Sequence, residues 1–107
     1  MTAPSTPTPD PAARPLVTVG IPSGPGGVMT VEVGVITGDL TLRTTWDGQQ
    51  ALLAVQYDGA DEWYAVEDAP VPAPTWAAAQ AVHEAMGEAV RRGGAATAPR
   101  RSGWSAG

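Results

Sequence analysis

From Met29 to Tyr57 the sequence alternates with a period of two, in three runs separated by Gly38-Asp39 and Asp47-Gly48. A period of two sends alternate side chains to opposite faces of a strand, and Gly and Asp tolerate the positive φ values of tight hairpin turns. In residues 29–37, Met29, Val31, Val33 and Val35 point one way, and Thr30, Glu32, Gly34 and Ile36 the other. In residues 40–46, Leu40, Leu42, Thr44 and Trp46 share a face; in residues 51–57, Ala51, Leu53, Val55 and Tyr57 share one. A turn at Asp47-Gly48 pairs Trp46 with Gln49, Thr44 with Ala51, Leu42 with Leu53 and Leu40 with Val55. A turn at Gly38-Asp39 pairs Val35 with Leu42, Val33 with Thr44 and Val31 with Trp46. Both registers place the apolar sets on one face, as cross-strand partners require.

Two further strands flank these runs. Residues 16–21 alternate with Val17, Val19 and Ile21 inward, and the glycine-rich loop after them returns the chain to Met29. Residues 62–66 follow an acidic loop. If that loop has four residues, Tyr64 meets Val55, Val66 meets Leu53, and Trp63 faces outward beside Gln56; a three-residue loop turns Trp63 inward. After a proline-rich crossover, Thr75 is the expected N-cap of a helix ending at Arg92, stopped by Gly93-Gly94. At 100° per residue Ala78, Ala79, Val82, Ala85, Met86, Ala89 and Val90 form its apolar arc. The predicted fold is α+β: a four- or five-stranded antiparallel β-meander with one C-terminal α-helix packed on one face.

Composition sets the limits of this body. Residues 1–15 hold five of the eleven prolines and no Leu, Ile, Val or aromatic residue. Such a stretch cannot bury enough surface to offset the entropy of ordering, so it reads as a disordered tail. Residues 93–107 read as a flexible tail containing Arg and Gly, leaving residues 16–92 as the single α+β domain. The chain has no cysteine, which excludes disulfides, thiolate metal sites and cysteine nucleophiles. Neither a secretory signal nor a membrane-spanning run is visible, so the expected compartment is the cytoplasm. The absence of Lys, Asn and Phe beside abundant Ala, Gly, Pro and Arg reads as the codon bias of a GC-rich bacterium.

Charge is unevenly distributed. Residues 16–90 carry a net −9 with Arg43 as their one basic residue, whereas residues 91–107 carry +4. An acidic body repels phosphate backbones, so direct nucleic-acid binding by it is not expected.

The chemistry-bearing residues are few. His83 is the sole histidine, and Gly87 stands where a zincin helix needs its second one. His83 and Trp76 lie seven residues apart on the border of the apolar arc, where they could stack. The carboxylates Asp58, Asp61, Glu62, Glu67 and Asp68 do not follow the alternating spacing of a Ca²⁺ loop and read as a solvated hairpin tip. The loop Ser23–Gly27 leads into a strand rather than a helix, which a phosphate cradle requires. The serines lie in tails or loops with no second histidine for a relay. No cofactor, metal site or catalytic residue is expected, and the chain reads as a non-enzyme.

The uncovered sheet face is more suggestive. It should carry Thr41, Arg43 and Thr45, but also the apolar Ile36, Leu52 and Trp63, bordered by Asp58, Asp61 and Glu62. Three apolar residues on adjacent strands with an acidic rim make a candidate contact patch. The expected function is therefore a small interaction or accessory domain that binds a protein partner, or itself as a homodimer, through this face. Two alternatives stand beside it. One is an acidic nucleic-acid mimic that blocks a DNA-binding partner; the other is a small-molecule-binding or catalytic domain with a pocket between helix and sheet.

Overall fold

In the computed structural model, the structure describes residues 15–99. The expected tail at residues 1–15 falls outside them except for Pro15. Among the described residues, seven strands precede one helix: β1 (Leu16–Pro22), β2 (Val28–Thr30), β3 (Gly34–Ile36), β4 (Asp39–Trp46), β5 (Gln50–Tyr57), β6 (Tyr64–Ala65), β7 (Val71–Pro72) and α1 (Trp76–Arg92). A five-stranded antiparallel sheet has the order β1-β4-β5-β6, with β7 also pairing β5, and β2 and β3 form a second, two-stranded sheet. The helix packs on the large sheet, giving an α+β fold.

The central hairpin keeps its faces and shifts its register. Trp46 pairs with Ala51, Thr44 with Leu53, Leu42 with Val55 and Leu40 with Tyr57, two residues from the expected partners. The cause is Asp47: its carboxylate accepts from the amides of Gln49 (2.8 Å) and Gln50 (2.7 Å), and its own amide donates to the Gln50 carbonyl. This Asx turn favours a longer loop than the primed turn read from Asp47-Gly48. An even shift changes no side chain's face. Leu40, Leu42, Leu53 and Val55 are accordingly buried against α1.

The expected long strand at residues 29–37 is instead a β2–β3 hairpin, and it does not pair with β4. Thr30 creates the turn, since its hydroxyl donates to the Gly34 carbonyl (2.6 Å) and accepts from the Val33 amide (3.2 Å). The inward set is also reversed. Val28, Thr30 and Ile36 are buried, while Val31, Val33 and Val35 are 61 %, 53 % and 45 % exposed. The hairpin lies along β6, with Thr30 bridged to Val66 and the Val31 amide donating to the Ala65 carbonyl. In β1 the register slips between Thr18 and Ile21, where Gly20 has φ +69°. This bulge turns Ile21 inward and leaves Val17 and Val19 exposed, against the expectation for both.

The helix matches its expected limits. Thr75 Oγ1 accepts from the Ala78 amide at 3.0 Å, and Gly93 ends the last turn with φ 77°. The chain then continues as part of the packed body rather than leaving it. Residues 93–96 run along the glycine-rich loop: the amides of Gly94, Ala95 and Ala96 donate to the carbonyls of Pro25, Gly26 and Gly27, and Ala96 and Ala98 are buried. Gly24 belongs to the same junction. Its amide donates to the Val90 carbonyl, and a Cβ at this position would run into the Arg92 backbone. The loop's glycines thus let two backbones meet at the carbonyl end of the helix. Residues 100–107, the rest of the expected tail, lie outside the described residues.

Candidate functional site

The face of the sheet turned away from α1 is built by alternation from the residues that the core does not use. The pairing Val17–Arg43–Ala54–Ala65 runs straight across β1, β4, β5 and β6, and Val31 extends the row through its hydrogen bond to Ala65. Thr45 pairs with Leu52 in the neighbouring row. Leu52 is 45 % exposed and Val17 is 49 % exposed. Trp63 is half-buried, and the Arg43 guanidinium lies 4.1 Å over its ring centroid. That stack combines cation–π attraction with burial of the ring and holds Trp63 on this face.

Leu52, Ala54, Trp63, Ala65, Ala69 and Pro70 surround a shallow concavity of about 360 Å³, with Arg43 and Thr45 on its wall. Carboxylates gather around β6. Glu62 accepts from the Tyr64 hydroxyl at 3.0 Å, and Glu32 accepts from the Ala65 amide at 2.9 Å. Their proximity raises the Tyr64 hydroxyl above the ordinary tyrosine pKa, first through the Glu62 hydrogen bond. Asp58, Asp61 and Glu62 are exposed in the turn and loop between β5 and β6. The Asp58 amide donates to the Asp39 carbonyl, and its carboxylate accepts from Thr41 at 3.4 Å. Thr41, expected to be solvated, is buried beside it.

Of the six residues proposed for the contact patch, Trp63 and Leu52 lie on the open face, and Asp58, Asp61 and Glu62 lie in the acidic connection next to it. Ile36 does not join them. It is 3 % exposed and belongs to the core, because the β2–β3 hairpin places Val28, Thr30 and Ile36 inward. Three contributors escaped the sequence reading: Val17, Val31 and the Ala69-Pro70 corner. The alternating valines were the available signal, but their richness in apolar residues argued for burial. Only the turn at Thr30 and the bulge at Gly20 reveal that they face outward.

The other polar feature lies between sheet and helix. His83 is 9 % exposed, and both ring nitrogens meet threonine hydroxyls, Nδ1 with Thr44 at 2.6 Å and Nε2 with Thr18 at 2.8 Å. A neutral imidazole donates from one nitrogen and accepts at the other, and each hydroxyl can take the complementary role. Burial lowers the histidine pKa, partly opposed by Glu84. The ring thereby ties α1 to β1 and β4. It borders an open cleft of about 500 Å³ lined also by Glu84, Gly87, Glu88 and Arg91. Trp76 is not its stacking partner. Trp76 meets Trp46 at 5.8 Å between centroids, and the Trp46 indole donates to the Ala73 carbonyl at 2.8 Å.

Among the described residues, no three of His, Cys, Asp and Glu come together as a metal-binding group, and no helix is long and apolar enough to cross a membrane. No protein-family model, curated protein or solved structure matches the chain.

Proposed function

We propose that this protein is a small binding module that docks a partner protein on the open face of its sheet. One observation carries the reading: exposed Val17, Leu52 and Val31 flank the Arg43–Trp63 stack on a single continuous face. Isolated surface apolar residues are ordinary, but contiguous ones rimmed by charge are a feature of contact sites. Trp63 is the expected anchor, since large aromatics in the centre of a patch concentrate binding energy. Leu52 supplies adjoining apolar area.

The nucleic-acid-mimic reading is weaker on the same ground. A mimic needs a carboxylate array as its contact surface, whereas the concavity on this face is lined by no carboxylate and the acidic residues stand on the segments flanking β6. The pocket reading is also disfavoured, because Leu42, Val55, Val82 and Met86 fill the helix–sheet interface with no exposure and leave only the open cleft at its edge beside Thr18 and His83. Both ring nitrogens of His83 are occupied there, and no carboxylate orients the ring as in a hydrolytic triad.

The test is the double substitution Trp63→Ala, Leu52→Ser, examined by affinity capture and light scattering. Partner capture or self-association should be lost while the circular dichroism spectrum stays that of the parent. Undiminished association by a folded double variant would overturn the proposal.

A further inference from the structure

We infer that the occupant of the open face is a cationic protein segment with an apolar anchor, and not a second copy of this chain. This rests on the reading of that face as a docking surface and specifies its partner by charge. Glu32, Asp58, Asp61, Glu62 and Glu67 stand on the segments that flank β6, whose Tyr64 and Ala65 line the apolar concavity. Glu32 and Glu62 are held by hydrogen bonds to Ala65 and Tyr64, so their charges are positioned before any partner arrives. Fixed charge of one sign around an apolar depression attracts the opposite sign and orients its approach.

The same arrangement disfavours a symmetric dimer. A two-fold contact opposes each patch to itself. Such an interface would hold both copies' carboxylates together, and like charges gathered in one interface are repulsive. Among the described residues the face carries one cation, Arg43, already stacked on Trp63. Arg91 and Arg92 lie in the last turn of α1, on the other layer. They could reach a neighbour's rim only in a head-to-tail contact, which does not close into a dimer. A basic segment meets neither obstacle. Its apolar side chain fills the concavity beside Trp63 while its cations meet the carboxylates.

The test uses the full ¹⁵N-labelled chain and three synthetic peptides of about ten residues, alternating leucine with arginine, glutamine or glutamate. The Trp63 indole N–H signal reports the open face. The Trp46 indole, bound to the Ala73 carbonyl, serves as the internal control. The leucine–arginine peptide should shift the Trp63 signal, leave Trp46 unmoved, and bind at least about tenfold tighter than the glutamine peptide at low salt. That preference should shrink in high salt and disappear in D58K/D61K/E62K. Equal binding of the neutral or acidic peptide at Trp63 would overturn the charge inference while leaving the docking face in place. A concentration-dependent dimer that shifts Trp63 would do the same. If no peptide moves Trp63 and the folded double variant above associates undiminished, both readings fall.

Discussion

The two faces of one sheet are made by the same strands and differ in nearly every physical respect. Toward α1, Leu40, Leu42 and Val55 have no exposure, and Thr44 is buried with its hydroxyl on His83. Away from α1, one residue further along each strand, Arg43, Leu52 and Ala54 border solvent or a shallow concavity. The covered face has a dedicated occupant within the chain, the apolar arc of the helix. The open face has apolar residues of comparable size and, among the described residues, no helix over it. Apolar content alone therefore does not tell which face folding uses; the layer that covers it does.

The contrast is most sharply broken by truncating its covered side. Leu42→Ala should cost about 2–5 kcal/mol, because it leaves a cavity in a rigid, fully buried site between β1, β4, β5 and α1. Urea denaturation measures it. A cost below about 1 kcal/mol would mean that helix and sheet close over the gap and that the covered face is less constrained than its burial implies.

A smaller effect probes the polar contact within the covered face. Thr44→Ala leaves a buried ring nitrogen of His83 without its hydroxyl, which should cost about 1–3 kcal/mol. The ring also makes stability depend on pH. Burial lowers its pKa in the folded state, so the unfolded chain binds the proton more readily. Its contribution is present above the ordinary histidine pKa of 6.5 and is lost as pH falls through that value toward the lower folded one. The melting temperature should drop between about pH 7.5 and 5.5, and this step should be absent in His83→Gln. A parent protein with a flat profile over that range would show that protonation does not disturb the clasp.

The sequence made the covered face readable and hid the boundary of the open one. Leu40, Leu42, Leu53 and Val55 alternate strictly, and a register error of two residues left their faces intact. The helix was readable because Thr75, an apolar arc and Gly93 agree with one another. The β2–β3 hairpin was not, because Val31, Val33 and Val35 look like an inward set and the deciding turn depends on a single threonine hydroxyl. The packing of residues 93–98 was equally hidden. Alanine and glycine carry little apolar signal, and their value here is that backbones can approach closely. At the candidate site, Trp63, Leu52 and the acidic loop followed from alternation and loop length. Arg43 over Trp63 did not, since a diagonal contact between strands separated by β5 requires the folded geometry.

The smallest stability effect is the one that sharpens the comparison most. Val17→Thr with Val31→Thr exchanges a methyl for a hydroxyl at two positions that are 49 % and 61 % exposed. Threonine keeps the β-branch and its strand preference, so the change isolates apolar surface from backbone effects. Neither side chain lies in the buried core, and the expected cost is within about 0.5 kcal/mol each. The same exchange at Val55, with no exposure, would bury an extra hydroxyl and should cost more. If the open-face pair instead destabilises as much as a core substitution, these valines are packed under part of the chain and the face is not free. If stability holds while partner capture weakens, the valines contribute to binding and not to folding. Chemical denaturation and capture measured on the same samples distinguish the two, because a covered face loses both together and an open one loses only the second.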